Sequence, residues 1–322
     1  MEDAVFDFLR HHSSLVITTH ENPDPDGLGA ELIFCQLAKT MGKKLRIVNS
    51  DAISEKYRFM DPENTIENWE NLKKPMDREA ALVIMDSADE YNIGKIREFI
   101  PYAPEVFVID HHEPNPFNTF KGYIDPSASS TCELAVELAI KAGIQLTPTN
   151  ARAALAGIAF DTGFFAFNKT TARTFRAATL LTESGAVPYE IYQEFHTKQS
   201  LASLLLEKTV FGNMELVHQG KVAVQLLRKE FLESCRATLD DTHGFINTPL
   251  KCKDVQVSIF VKENREGHVK CSLRSKGNIH VSKIAQSMGG GGHVSAAGFK
   301  SSKSLDETLQ IVLEKISQEM KQ

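Results

Sequence analysis

The sequence predicts an α/β protein with two domains: a mostly parallel-sheet domain first, a smaller α/β domain second, and a helical linker between them. Three observations carry this expectation. From Glu2 to about Ser184, short apolar runs alternate with helix-like stretches, the pattern of a parallel sheet covered on both faces. From Met214 the texture changes to short strands mixed with helical stretches, and 322 residues are long for one core. Several apolar runs also end on an acid or an imidazole. The expected boundaries are 1–195 for the first domain, 196–213 for the linker and 214–322 for the second domain.

Leu15-Val16-Ile17-Thr18-Thr19 reads as the first strand, followed by the loop His20-Glu21-Asn22-Pro23-Asp24-Pro25-Asp26-Gly27. Pro23 and Pro25 stiffen that loop, which holds one imidazole and two aspartates. Open α/β sheets place their sites at such carboxyl ends. Leu28, Leu32, Leu37 and Met41 then form a helical stripe with Gly42 as its stop, and Leu45–Val48 is the next strand. Ala81–Met85 is a buried-strand run ending at Asp86, and Val106–Ile109 is another ending at Asp110-His111-His112. Ser130-Thr131-Cys132-Glu133 fits a capping box opening a helix to about Ala142. Ser130 and Thr131 are either a plain cap or, at a helix N-terminus, contacts to a phosphate or to the side chains behind a site. The apolar segment Ala153–Phe160 leads into Asp161-Thr162-Gly163, and helical patterns follow over 170–184, 188–195 and 198–212. In the second half, 222–226, 255–261 and 269–273 read as strands, and Ser304–Glu307 opens a final helix with another capping box.

Composition is that of an ordinary globular protein, with 42% hydrophobic and 24% charged residues. No apolar run approaches the roughly 20 residues of a membrane span, and the acidic start Met1-Glu2-Asp3 does not resemble a secretory leader. A cytoplasmic protein without membrane association is expected. Cys35, Cys132, Cys235, Cys252 and Cys271 are scattered and odd in number, which argues against both a disulfide framework and a thiolate zinc site. Net charge is −6, yet residues 221–300 hold 13 Lys/Arg against 7 Asp/Glu. A basic second half beside an acidic first half suits a small polyanionic substrate.

His20, Asp24, Asp26, Asp86, His111 and Asp161 form an imidazole and carboxylate set without sulfur, suited to hard or borderline divalent cations. Four carboxylates around one such ion would leave negative charge uncompensated. Two ions bridged by one aspartate would balance it, and such a pair serves phosphoester hydrolysis. In the second half, Met288-Gly289-Gly290-Gly291-Gly292-His293 offers a backbone that approaches a ligand closely and exposes amides to an anion. It lacks the Gly-Lys-Ser/Thr ending of a nucleoside triphosphate loop. Arg274 and Lys276 are natural phosphate contacts.

At these residues the sequence resembles the DHH phosphoesterase superfamily, named for the triplet Asp110-His111-His112, and within it the nanoRNase branch of bifunctional oligoribonucleases and 3′-phosphoadenosine-5′-phosphate (pAp) phosphatases. The resemblance spans nearly the whole chain, from His20-x-x-x-Asp24-x-Asp26 through Asp86, the triplet and Phe160-Asp161-Thr162-Gly163 to the glycine signature of the DHH-associated second domain. It implies a Mn²⁺-dependent hydrolase acting on very short single-stranded RNA and on pAp. One ion would be held by His20, Asp24 and Asp86, the other by Asp26, Asp86, His111 and Asp161. His112 would touch the scissile phosphate and Asp110 would orient the triplet. Arg274, Gly290, Gly291, Gly292 and His293 would hold the rest of the nucleotide, the active site would lie in the cleft between the domains and be completed by hinge closure, and a homodimer is implied by the resemblance alone. One departure stands out: 164–168 reads Phe-Phe-Ala-Phe-Asn where relatives often carry an arginine. The same site could serve cyclic or linear dinucleotides such as cyclic-di-AMP or pApA. A pyrophosphatase of the superfamily and a non-catalytic nucleotide-binding module are two further readings of the same residues.

Overall fold

The computed structural model describes residues 2–72, 74–113, 119–242, 244–277 and 279–320. The chain divides into two compact units, Met1–Thr197 and Lys198–Gln322. In the first, α1 (Glu2–His11), β1 (Ser14–Thr18), α2 (Pro25–Thr40), β2 (Lys44–Asn49), β3 (Ile66–Asn68), β4 (Ala81–Met85), β5 (Val106–Asp110) and β6 (Lys121–Ile124) are followed by four helices. These are α3 (Thr131–Lys141), α4 (Pro148–Asp161), α5 (Ala172–Glu183) and α6 (Pro188–His196). The six strands form one sheet in the order β3-β2-β1-β4-β5-β6, and every pair is parallel.

Successive residues of a strand point to opposite faces, and both faces are buried here. Leu15, Ile17, Val83, Met85, Phe107 and Ile109 pack against the helices α1 to α6. Val16, Val48, Leu82, Ile84 and Val108 pack on the other face against Ile93, Ile96 and Phe99 from the 3₁₀ segment Glu90–Tyr102. This double burial is why the central strands read as unbroken apolar runs. The apolar segment 153–160 lies within α4, a helix whose seam against α2 places Ala151, Ala153, Ala154, Leu155, Ala156 and Ile158 in the core.

The second unit contains α7 (Leu201–Gly212), β7 (Glu215–Val217), β8 (Val222–Leu227), α8 (Lys229–Ser234), β9 (Val257–Glu263), β10 (Val269–Ser275), α9 (Val281–Ser287), β11 (Gly291–His293), β12 (Ala296–Ser301) and α10 (Leu305–Glu319). Its sheet runs β11-β12-β10-β9-β8-β7, antiparallel except for the parallel pair β8 and β9. One face packs on α9 and α10 through Val257, Ile259, Val261, Cys271, Leu273 and Phe299. Phe260 and Leu227 on the other face meet Leu206 and Val210 of α7 and Phe245. The strand expected over 255–261 runs instead from Val257 to Glu263, because the amides of Gln256 and Val257 both turn to the carbonyl of Lys221. No helix among the described residues is long and apolar enough to cross a membrane.

Candidate active site

The strands β1, β4 and β5 are neighbours in the parallel sheet, so their carboxyl ends share one edge. The loop after β1 carries His20, Asp24 and Asp26. Asp86 follows β4 at once, and Asp110 ends β5 with His111 and His112 behind it. Asp161 reaches the same place as the last residue of α4. Three groups of donor atoms result, each within 4.8 Å and able to hold a metal ion: His20, Asp24 and Asp86; Asp26, His111 and Asp161; and Asp86, His111 and His112.

Asp86 stands between the first two groups. One carboxylate oxygen lies 3.6 Å from His20 Nε2 and the other 3.6 Å from His111 Nε2. Its backbone is left-handed, φ +60°, and its amide donates to the carbonyl of Ile109 at 2.9 Å. A non-glycine residue in that region is held there by its surroundings. His20 Nδ1 is 2.8 Å from the carbonyl oxygen of Glu21. A proton on Nδ1 satisfies that carbonyl and leaves Nε2 as the donor atom facing Asp24 and Asp86.

Two helix N-termini serve the carboxylates. Asp24 is the N-cap of α2 and accepts from the amides of Asp26 at 2.9 Å and Gly27 at 3.2 Å. Asp26, fully buried, accepts from the amides of Thr131 at 2.6 Å and Cys132 at 2.9 Å in the first turn of α3. Exposed amides and the helix dipole favour negative charge at both places. The Thr131 hydroxyl donates to Asp86 Oδ1 at 2.8 Å, while Ser130 caps α3 by accepting from the amide of Glu133 at 3.0 Å. Thus the two residues left open by the sequence divide the roles: Ser130 caps, and Thr131 holds the central aspartate.

The concentration of charge shows in the proton affinities. Burial, together with repulsion from Asp86 and Asp161, pushes Asp26 well above the usual carboxylate range. Asp161 is raised by burial and by Asp86. Burial disfavours charge on His20, but Asp24 and Asp86 overcome it and push the imidazole up to about 11. His111 likewise reaches about 10 against burial, through Asp161, Asp26 and Asp86. Yet neither ring nitrogen of this buried histidine has a hydrogen-bond partner among the described residues, although Asp161 Oδ2 lies 3.0 Å from Nε2. Converging carboxylates and an imidazole with unused nitrogens are what a divalent cation requires, so the donor set fits one.

His112 is the more open of the pair, with 42% of its side chain exposed, and Asp110 holds its Nδ1 at 2.8 Å. In the departure segment, Phe164 and Phe165 are left-handed. Phe165 stacks on Phe175, and Phe164 packs against Tyr192, Phe195 and His196.

In the second unit, Arg274 lies on β10 with Nη1 donating to the carbonyl of Leu273 at 3.1 Å. Lys276 donates to the carbonyl of Cys252 at 2.7 Å. Gly291 and Gly292 belong to the edge strand β11, with Gly290 just before it. A Cβ at Gly290 would sit 2.2 Å from the carbonyl oxygen of Gly298, and Gly292 combines φ +134° with a Cβ position 2.4 Å from the carbonyl oxygen of Ala296. The fold itself therefore demands these two glycines, whereas at Gly291 the Cβ position faces open space. The side chain of His293 lies outside the described residues.

Comparison with known proteins matches residues 14–158 to the DHH family N-terminal domain and 220–322 to the DHHA1 domain. The chain is 29% identical to the bifunctional oligoribonuclease and PAP phosphatase NrnA of Thermus thermophilus, over 95% of this chain and 90% of that protein. It is 27% identical to the cyclic-di-AMP phosphodiesterase PdeA of Listeria monocytogenes, over 92% of this chain but 46% of that protein. A crystal structure of an exopolyphosphatase-related protein from Bacteroides fragilis superposes with a TM-score of 0.91, at 24% identity, covering 98% of this chain and 95% of the other. That likeness establishes the fold.

Proposed function

The chain belongs to the DHH family and is a hydrolase acting on nucleotides or oligoribonucleotides, and we propose that its substrates are very short single-stranded RNAs, cleaved to mononucleotides, together with pAp. The observation that carries this reading is the pair of donor triads joined at Asp86. The substrate class comes from relatives named as oligoribonucleases and PAP phosphatases.

We read His20, Asp24 and Asp86 as ligands of one divalent cation and Asp26, Asp86, His111 and Asp161 as ligands of a second, with Mn²⁺ as the ion. Bound there, the two cations supply Lewis-acid stabilisation to the attacking and leaving oxygens of phosphoryl displacement. The protein's own groups position the reactants. Asp110 fixes the His112 ring through Nδ1, so that the open imidazole meets the scissile phosphate. Thr131 and the amides of α3 hold Asp86 and Asp26 in place before anything binds. Arg274, Lys276, the Gly290–Gly292 backbone and His293 hold the remainder of the nucleotide in this reading.

A second reading, hydrolysis of cyclic-di-AMP or its linear form pApA, draws support from the similarity to the Listeria phosphodiesterase. Product chromatography in Mn²⁺ separates the two, using pApA, a 5-mer RNA, a 24-mer RNA, pAp and cyclic-di-AMP. AMP release from pApA and the 5-mer, slow attack on the 24-mer and turnover of pAp are expected. Inert short RNA with rapid cyclic-di-AMP hydrolysis would transfer the function to the second reading. Asp86→Ala should abolish every activity, and retained turnover would overturn the ligand assignment.

A further inference from the structure

The second unit carries a concentration of cations that the ligands assigned above do not use up. β9 and β10 pair with Lys262 opposite Lys270, Phe260 opposite Ser272 and Ser258 opposite Arg274. β10 and β12 pair with Lys270 opposite Lys300, Ser272 opposite Gly298 and Arg274 opposite Ala296. Residues directly opposite one another point to the same face, and residues two apart along a strand share it. Lys262, Lys270, Lys300 and Arg274 therefore ring one side of the sheet, over a floor of Phe260, Ser272, Gly298 and Ala296. No acid stands among these positions. The alternating residues, including Val261, Cys271, Leu273 and Phe299, are buried on the opposite side.

Lys262 departs furthest from the ordinary behaviour of a surface lysine. A long lysine usually lays its stem on apolar surface and keeps its ammonium in water. Here the ammonium donates to the hydroxyl of Thr242 at 3.3 Å and lies 5.2 Å from the centre of the Phe260 ring, with no carboxylate at ion-pair distance among the described residues. Burial first, then the neighbouring Lys270 and Arg274, push its proton affinity down to about 8, while Asp240 draws the other way. Arg274 is lowered by burial as well. Two cations partly withdrawn from water on one side of the sheet, neither with a carboxylate at ion-pair distance among the described residues, are an unfavourable arrangement for the free protein. An anion placed between them would remove the repulsion.

We propose that Lys262, acting with Arg274 on the side of β9, β10 and β12 that carries Phe260, forms a phosphate subsite that recognises a phosphoryl group of the nucleotide substrate. This rests on the reading that the substrate is a short nucleotide polyanion, and it adds a residue to that reading. Phe260 and Thr242 orient the Lys262 ammonium, while Lys270 and Lys300 raise the local potential without a fixed contact.

The test uses the full chain in chelator, where turnover stops, with pAp, AMP and adenosine titrated by calorimetry. Lys262→Met keeps the length of the side chain and its packing on Phe260. It should weaken pAp binding about tenfold, as expected for the loss of one charge-assisted contact, and leave adenosine binding unchanged. The slope of log affinity for pAp against log salt should fall by about 0.7, one phosphate contact on a single strand. Lys262→Arg should restore most of the affinity, which a merely structural role would not allow. With metal present, the Lys262→Met variant should show a larger change in KM than in kcat. Unchanged pAp affinity and salt slope in a folded Lys262→Met protein would overturn the subsite even if short RNA is hydrolysed. Conversely, Lys262-dependent pAp binding in a protein that leaves RNA and pAp intact would keep the subsite and overturn the substrate assignment.

Discussion

Thr131→Val tests whether the N-terminus of α3 is part of the metal-binding apparatus. The substitution keeps the shape of the side chain and removes one donor, the hydroxyl 2.8 Å from Asp86 Oδ1. Both residues are buried, so water does not replace the lost contact freely. The amides of Thr131 and Cys132 still reach Asp26, and Ser130 still caps the helix, so the change is confined to Asp86. A hydrogen bond to a charged group contributes about 1.5–3 kcal/mol. Loss of a contact that orients a ligand weakens metal affinity by roughly 10- to 100-fold. The two ranges agree, since each 1.4 kcal/mol is about a factor of ten. Calorimetric Mn²⁺ titration of wild type, Thr131→Val and Thr131→Ser should therefore show the valine variant at least about tenfold weaker. The serine variant should stay within about threefold, because it retains the donor. An Mn²⁺ affinity for Thr131→Val indistinguishable from wild type would refute the reasoning and return Thr131 to the role of an ordinary first-turn residue.

Two further outcomes follow from buried charge in the first unit. Glu31 is fully buried, with one oxygen accepting from Asn49 at 3.0 Å and the other without a partner among the described residues. Burial pushes its carboxyl up to about 8 from 4.5, so the folded state holds a proton that the unfolded chain releases. Its stabilising protonation is complete below about 4.5 and is lost as pH rises through about 8, a swing on the order of a few kcal/mol. In chelator, Glu31→Gln should gain stability relative to wild type between pH 5 and pH 9 in urea unfolding; an equal difference at both pH values would remove Glu31 as the titrating group. Arg173 on α5 binds Glu137 at 2.6 Å, Asp125 at 2.7 Å and Glu133 at 3.2 Å. Arg173→Met leaves three acids facing one another and should cost about 3 kcal/mol, the lower end of the range for a broken buried pair because the side chain is 22% exposed. Thermal unfolding without a clear drop in midpoint would contradict that network.

What could be read from the chain, and what could not, follows from the range of the interactions involved. β1, β4 and β5 were legible because a strand buried on both faces is apolar along its length, and Leu15–Ile17, Ala81–Met85 and Val106–Ile109 are apolar. β3 and β6 were not, since Ile66–Asn68 and Lys121–Ile124 are short, partly exposed edge strands whose structure comes from pairing with β2 and β5. α4 showed only as an apolar segment, because burial nearly all round erases the helical stripe that signals a half-exposed helix. At the site, the acids and imidazoles advertised themselves by following apolar runs. The hydroxyl of Thr131 could not, because its partner Asp86 is 45 residues away and Ser130-x-x-Glu133 is fully explained as a local cap. Even that motif is only half formed: the Glu133 carboxylate bonds Ser129 instead of returning to the cap residue. The cationic face of β9, β10 and β12 was equally hidden, since it exists only through strand register.

The arrangement of carboxylates explains how such a site can be built at all. Four aspartates converging on two histidines would repel one another enough to disfavour folding, were each left to the solvent-poor interior alone. The fold offsets that repulsion in parts. Asp24 is neutralised locally by the first turn of α2 and by His20, which lower its proton affinity despite burial. Asp26 takes two amides from α3, and Asp86 takes the Thr131 hydroxyl. These contacts satisfy individual oxygens without cancelling the summed charge, and the residue of that imbalance is visible in Asp26 and Asp161, both still raised. Backbone amides cannot move to follow a carboxylate, so the anchored oxygens are preorganised, whereas His111, neither of whose ring nitrogens has a hydrogen-bond partner among the described residues, is the group left to respond. Metal affinity in this site should accordingly depend on the α2 and α3 N-termini as much as on the ligands themselves.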